Sequence, residues 1–442
     1  MGLVLGAGFA DAQTYIKDVR PIVVKRCGAC HYDGGMAPFP LMKYEDFARK
    51  ATTALAAIES GLMPPWPADT SYRHFLNENV VTEKEKDIIK QWIANGKPKG
   101  KGKDKDVPQP KPWKPDYVVE MQDSFVLSAH GKDRFLFFHV PQKAEKDMNV
   151  SVFAYRPGFA QTHHTELFVD STAAQTFEFT RPGFVLNDGN ESYEGHYEYM
   201  RNYYYLSGWL PGNRYILPRR FAMRIPQGSQ FMLMEHYAPT SKDYTFKSKV
   251  LMKFTQGKPK RYATELTMHG HSDLVYTEHE SYEYFNVMKE EGKPEIAMTF
   301  FKIPAGKVVT LHAKKTLDKD WSCFAIAPHA HHIARKIVVY AVPPSGDTIP
   351  LVRINDWRAE WQLMYLAEKF IYFPKGTTIH MFFTYDNTEN NPENPYFPPR
   401  DAIYSFNADQ EMMEFFIFCV PYKPGDEKRR IRYPKSAGFL FE

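Results

Sequence analysis

From Asp116 to the last residue, short apolar and aromatic runs alternate with turn signals, and this rhythm excludes most folds open to a chain of such length. Runs such as Lys336–Val342 and His380–Tyr385 are separated by turns of the kind Arg156-Pro-Gly158, Pro211-Gly-Asn213 and Pro304-Ala-Gly306. That is the pattern of antiparallel strands in sandwiches rather than of βαβ units. Aromatic residues are 15% of the sequence and Pro occurs 33 times, which favours strand over helix for most of the length. The region spans about 327 residues, long for one sandwich. A polar stretch, Gln256-Gly-Lys-Pro-Lys-Arg261, interrupts the strands, and a boundary near Gly257–Tyr262 divides the region into two all-β domains, 116–257 and 258–442.

The part ahead of it, 14–96, reads helical at both ends. Ile16, Val19 and Val23 are spaced for one helical face. Thr82-Glu-Lys-Glu85 is a capping box, Ile88, Ile89, Trp92 and Ile93 share a face, and Gly96 stands where a C-terminal cap belongs. A small all-α domain is therefore expected, followed by a solvated linker over 97–115, rich in Lys, Pro and Gly. The opening Met1–Gln13 resembles the tail of a secretory signal: the apolar run Leu3–Ala10 leads into Ala10-Asp-Ala12, an A-x-A cleavage pattern, although the charged n-region is missing. No stretch reaches the roughly 18 to 20 apolar residues of a membrane-spanning helix. The formal charge is +4, with Lys and Arg interspersed among Asp and Glu, so nucleic acid is not an expected partner.

Cys27-Gly-Ala-Cys30-His31 is a C-x-x-C-H motif. Its two thiols are spaced to form thioethers with the vinyl groups of one covalent haem c, and its His supplies an axial ligand. Such attachment implies export, to the periplasm or beyond. The alternatives are a C-x-x-C redox pair, which calls for a βαβ context, and half of a zinc site, which calls for a second Cys pair nearby; the sequence shows neither. For the sixth ligand, Met63 in Gly61-Leu-Met-Pro-Pro-Trp66 is far enough along the chain from His31 to cross to the other haem face, whereas Met36 is too close.

Four further features stand in the β region: the pair His163-His164, His236 in Met234-Glu-His-Tyr-Ala-Pro239, the triplet His329-Ala-His331-His332, and Met412-Met413. On a strand, His329 and His331 share a face, as neutral imidazoles must to hold one metal, and His332 points away. A thioether beside two imidazoles is a soft, copper-favouring set. His269-Gly-His271 has the same spacing, but its Gly suggests a surface turn.

In order and context these features resemble the type II copper, ascorbate-dependent monooxygenase family, of the peptidylglycine α-hydroxylating and dopamine β-monooxygenase type. His163-His164-Thr-Glu-Leu-Phe168, Glu235-His236-Tyr237, Phe324-Ala-Ile-Ala-Pro-His-Ala-His-His332 and Asp409-Gln-Glu-Met-Met413 match its motifs in order. Gly208-Trp-Leu-Pro-Gly212, Tyr385-Asp-Asn-Thr-Glu-Asn-Asn-Pro392 and Met63-Pro-Pro-Trp66 resemble its bacterial branch with a fused N-terminal cytochrome c domain. The resemblance implies two jelly-roll-like sandwich domains after the all-α domain, and two copper ions. His163, His164 and His236 would hold the electron-transfer copper, and His329, His331 and Met412 the catalytic, O2-binding one.

Two positions depart from the family. Ala327 stands where the peptide-processing enzymes have an Arg that engages a substrate carboxylate, which argues against a peptidylglycine substrate. Met413 replaces a family Cys, so one family disulfide cannot form, leaving Cys323 and Cys419 either paired or as two buried thiols. The implied function is hydroxylation of a C–H bond of an organic substrate by O2, with electrons from a periplasmic donor entering through the haem. The alternative is a copper- and haem-binding electron-transfer or structural protein that keeps the fold without hydroxylating.

Overall fold

A computed structural model describes residues 13–33, 37–106, 114–129, 134–159, 162–172, 184–185, 203–209, 215–237, 239–270, 282–287, 296–404 and 409–434. Most of the signal-like opening, Met36, His271, the Pro211–Asn213 turn and the linker's later part, 107–113, lie outside the described residues. The chain divides into two compact units, one of 1–66, 77–113 and 435–442, the other of 67–76 and 114–434.

The first unit holds a π-type turn at Tyr15–Val19 and three helices: α1 (Arg20–Cys27), α2 (Tyr44–Glu59) and α3 (Glu83–Ala94). Tyr15, Val19, Val23, Phe47, Ala51, Ile89 and Trp92 bury one another in its core. The Trp92 ring lies 5.8 Å from Phe47 and 5.9 Å from Tyr15. At the start of α3 the Thr82 hydroxyl accepts from the Glu85 N–H and the Glu85 carboxylate accepts from the Thr82 N–H. Its end is a Schellman motif: Gly96 N–H donates to Ile93 O and Lys97 N–H to Trp92 O, with Gly96 at φ 77°, where a side chain is strained.

A sizeable all-α cytochrome c domain is not what these residues build, contrary to the sequence expectation. The helices are short, and helix accounts for 13% of the described residues. Pro38 and Pro40 between α1 and α2, and Pro64, Pro65 and Pro67 beyond α2, lack the N–H a helix needs and block its continuation. Residues 67–76 belong instead to the β unit. There Ala68 bridges Ile354, Arg353 Nε donates to Asp69 at 2.9 Å, Leu76 N–H donates to Leu366 O at 2.8 Å, and Phe75 packs on Tyr365 at 4.9 Å. The first part of the expected solvated linker is held too: Pro98 O accepts from Tyr15 N–H and from Trp92 Nε1–H, each at 2.9 Å, and Asp104 accepts from Tyr44 N–H at 2.6 Å. A segment with no large apolar side chain is fixed here by its oxygens, which satisfy donors the helices leave open.

The second unit is built of strands. Its first half carries β1 (Tyr117–Glu120), β2 (Phe125–Leu127), β3 (Arg134–Lys143), β4 (Met148–Arg156), β5 (Thr162–Asp170), β6 (Phe184–Val185), β7 (Tyr203–Trp209), β8 (Tyr215–Ile216), β9 (Phe221–Ile225), β10 (Gln230–Tyr237), β11 (Tyr244–Phe246), β12 (Lys249–Phe254) and β13 (Arg261–Tyr262). The second half carries β14 (Thr264–His269), β15 (Tyr282–Val287), β16 (Ile296–Ile303), β17 (Val308–Thr316), β18 (Trp321–His329), β19 (Ala334–Val342), β20 (Ile349–Ile354), β21 (Tyr365–Phe373), β22 (Thr378–Asp386), β23 (Ala402–Ile403) and β24 (Glu414–Pro421).

In the first half, one sheet runs β1-β12-β4-β9-β13, with β8 on β4, and a second runs β6-β3-β10-β5-β7. In the second half the larger sheets run β14-β24-β18-β21 and β17-β22-β19-β20. Along β22, Ile379, Met381, Phe383 and Tyr385 are buried while their neighbours are half-exposed, the period of two that a sheet with one covered face requires. β10, central in its sheet, is buried at every position. Sheets of this kind fit β-sandwiches in the second half of the chain. Cys323 and Cys419 are register partners on β18 and β24 and are buried, unlinked thiols. Among the described residues no helix is long and apolar enough to cross a membrane.

Candidate metal centre

The C-x-x-C-H motif begins on the last residue of α1. Cys27 O accepts from the N–H of Cys30 at 3.2 Å and of His31 at 3.0 Å, folding the motif into a turn. His31 Nδ1 lies 3.0 Å from Phe39 O. A carbonyl only accepts, so Nδ1 carries the hydrogen and Nε2 is left as the coordinating nitrogen, the arrangement metal-binding histidines use. Burial pushes the Cys27 thiol up to about 12, Cys30 adding to the effect and Arg26 opposing it. Met63 follows α2, its N–H bonded to Ala57 O at 3.0 Å. Met42, which no sequence motif singles out, is buried in the core against which Cys27 packs.

In the β unit, the antiparallel register of β5 and β10 sets His164 opposite His236. Their ring centres are 5.0 Å apart at an angle of 74°. The register then jumps from the pair His236–His164 to Tyr237–Thr162, leaving His163 as a bulge. A bulge breaks the alternation that sends consecutive strand residues to opposite faces, which is the condition for two adjacent histidines to serve one site. The His163 side chain itself lies outside the described residues.

His329 closes β18 opposite Glu414 on β24. Beyond the strand His331 is tied to the segment just ahead of β24, its N–H donating to Glu411 and its Nδ1 meeting Gln410 O, next to the buried Met412. His331 and His332 lie beyond the strand, so strand alternation does not govern them; the His329 and His331 rings meet at 5.2 Å and 88°. The His164 ring also stands 6.2 Å from that of His329. Sequence motifs assign these histidines to two sets in two domains, and the fold brings them into one series of rings, His236, His164, His329, His331.

The imidazoles of the second set are held in one tautomer. His329 Nδ1 bonds Gln362 Oε1, whose own amide nitrogen donates to Ala359 O at 2.9 Å. His331 Nδ1 bonds Gln410 O at 3.1 Å. Both partners accept, so both histidines carry hydrogen on Nδ1 and present Nε2. Burial holds His329 down to about 4, the Gln362 bond opposing it. Burial, then the neighbouring charges of His329, His236 and His332, holds His331 well below the usual histidine range. Both are neutral at pH 7, as ligands must be.

Glu411 ties the two chain segments of this set together. Its carboxyl accepts from the N–H of His331 at 2.9 Å, of Ile333 at 2.7 Å and of Met412 at 3.3 Å. Burial pushes it up to about 8 despite those bonds. Trp357 Nε1–H donates to His331 O at 3.0 Å, and Tyr385 Oη–H to Met412 O at 2.7 Å. None of Gln362, Glu411 or Trp357 is marked by a sequence motif as a supporting group. Beside His236 on β10, Glu235 accepts from Tyr237, from Ser248 at 2.9 Å and from Thr165 at 3.4 Å.

A cavity of about 50 Å³ opens beside His164 and His329. Glu166 lies on its wall, 3.7 Å from His164, and burial, with the charge of Glu414 adding, pushes its carboxyl up to about 8. His269, expected at a surface turn, is the last residue of β14 and pairs with Glu414 at 2.5 Å. Among the described residues no group of three or more His, Cys, Asp or Glu is placed to hold a metal ion. The two-histidine, one-thioether set does not depend on such a group.

No family model matches the chain, and no curated protein matches it. Among solved structures it is similar to the infectious bursal disease virus VP2 subviral particle, at 10% identity over 74% of this chain and 77% of that one, with a TM-score of 0.17. It is also similar to a Paenibacillus xanthan lyase, at 8% identity over 73% of this chain and 28% of that one, with a TM-score of 0.17. A third is the CBM22-1-CBM22-2 tandem domain from Paenibacillus barcinonensis Xyn10C, at 7% identity over 68% and 82%, with a TM-score of 0.18. Likenesses this slight carry no argument about fold or function.

Proposed function

We propose that this chain is a copper-dependent monooxygenase of the type its motifs resemble, fed with electrons through a haem attached at Cys27, Cys30 and His31. The observation that carries the reading is the Nδ1 anchoring of both His329 and His331, which leaves two neutral Nε2 atoms free, with His331 bonded to Gln410 and Glu411, the residues just before Met412. This donor set fits copper, whose soft Cu(I) state favours thioether and imidazole. His329, His331 and Met412 would hold one copper, His163, His164 and His236 another, and His31 and Met63 the haem iron. Copper bound at these residues supplies one-electron redox chemistry and the activation of O2.

The chain's own groups support that work. Gln362 and the Gln410 carbonyl orient the imidazoles, Glu411 ties the His331 and Met412 segments together, and the apolar cavity wall keeps bulk water from the reacting C–H bond. The overall change, R–H + O2 + 2 e⁻ + 2 H⁺ → R–OH + H2O, needs two electrons, which a reduced extracytoplasmic donor provides. The narrowness of the cavity favours a second reading, an electron-transfer protein that binds both metals without hydroxylating.

Oxygen uptake separates the two. Copper-loaded, reduced full-length protein is expected to consume O2 in step with hydroxylated product, and Met412→Ala and His329→Ala to abolish both while leaving haem content unchanged. Copper and haem bound with no substrate-dependent uptake would leave the second reading standing.

A further inference from the structure

The walls of the cavity beside His164 and His329 say what kind of molecule it accepts. They are formed largely by Tyr205, Trp209, Leu363, Met364, Phe416 and Phe418, and among the described residues no Lys or Arg lines the cavity. The rings are fixed in advance of any ligand. Tyr205 stacks on Phe416 at 5.5 Å and 21° and meets Phe168 edge-on at 5.9 Å and 81°. Gly208 makes room for it: a Cβ there would stand 2.5 Å from the Tyr205 hydroxyl oxygen. Of the remaining lining residues, Ala327 and Pro328 are apolar, and Gln362 is already bonded to His329 and Ala359 O.

We infer that this cavity takes a small, uncharged, mainly hydrocarbon substrate and rejects carboxylates, phosphates and peptides. The inference rests on the monooxygenase reading for the word substrate, but the ligand class follows from the cavity alone. In the copper-free protein an anion brought here loses its water and meets no Lys or Arg among the described lining residues, only the acidic side chain of Glu166. A volume of about 50 Å³ admits about four water-sized groups, at 10 to 15 Å³ each, which sets the size at a few heavy atoms.

Binding to the copper-free full chain, followed by saturation-transfer NMR, tests this without any turnover. The probes are ethanol, 1-propanol and propionate. We expect 1-propanol to bind about fourfold more tightly than ethanol, the gain for one buried methylene, and propionate to bind at least about tenfold more weakly than 1-propanol, the loss for an unpaired charge. Ala327→Phe, which fills the cavity, should remove 1-propanol binding while circular dichroism stays unchanged. Propionate binding as well as 1-propanol, no detectable 1-propanol binding, or full binding by a folded Ala327→Phe variant would each overturn the inference. The wild-type comparison holds even if that variant fails to fold. Correct probe selectivity in a protein that takes up no O2 when copper-loaded would sink the monooxygenase reading and leave the ligand class standing. Substrate-dependent O2 uptake without that selectivity would sink the ligand class alone.

Discussion

Glu411→Gln tests the carboxyl that ties the His331 segment to the Met412 segment. Oε2 accepts from the N–H of His331 and Met412, and Oε1 from that of Ile333. A glutamine retains one acceptor oxygen, and its amide NH2 cannot accept from a backbone donor. With the oxygen kept toward His331 and Met412, the Ile333 N–H is left buried, facing another donor. An orphaned buried donor costs about 1–3 kcal/mol, and the repulsion adds to it, so a total of about 2–3 kcal/mol is expected. Urea unfolding of metal-free protein, followed by circular dichroism, measures this directly. Copper affinity should fall as well, by about 10- to 100-fold, the usual effect of losing a group that orients a ligand. A variant within about 0.5 kcal/mol of wild type, the range of a neutral surface change, and binding copper as tightly would refute the argument that Glu411 organises this set.

Asp426→Asn breaks a buried pair, since the carboxylate accepts from Arg261 at 2.6 Å and from Ser322 at 2.7 Å; a loss of about 3–5 kcal/mol is expected in chemical denaturation. Burial opposes ionisation of Asp426, but the bonds from Arg261 and Ser322 hold its carboxyl below the usual range. Its contribution is therefore present in full above about pH 4, the unfolded value, and lost as pH falls through the lower folded value, a dependence that acid titration of the asparagine variant should lack. Trp92→Ala empties the centre of the first unit's core and should cost about 3–5 kcal/mol, read by thermal unfolding monitored in the far ultraviolet. Cys27→Ser together with Cys30→Ser should leave no haem on the chain after denaturing electrophoresis; covalent haem persisting in the double variant would rule out attachment at this motif.

Patterns that depend on neighbours in sequence were legible from the chain alone. The β rhythm after Asp116 reflects a period of two, visible in β22, and both ends of α3 follow from groups within a few residues of each other, Thr82 with Glu85 and Gly96 with Ile93. What depends on distant partners was not legible. Residues 67–76 carry no mark that sends them to β20 and β21, because Asp69 and Phe75 are fixed by Arg353 and Tyr365. The all-α expectation failed at Pro38, Pro40, Pro64 and Pro65, residues that the helical faces on either side obscured. Candidate ligands stood out by motif, but their supports did not: Gln362 and Glu411 become meaningful only once the turn beyond β18 lies against the segment ahead of β24. The approach of His164 to His329 joins the two halves of the β unit and has no local signature.

The most direct test of the account is the copper-to-iron ratio of the full-length protein isolated with its haem, measured by elemental analysis together with the optical and electron paramagnetic resonance spectra. Two coppers for each haem iron are expected, with one copper lost in a His329→Ala, His331→Ala double variant whose haem spectrum is unchanged. Haem present without stoichiometric copper, or a ratio that the double variant leaves unaltered, would contradict it.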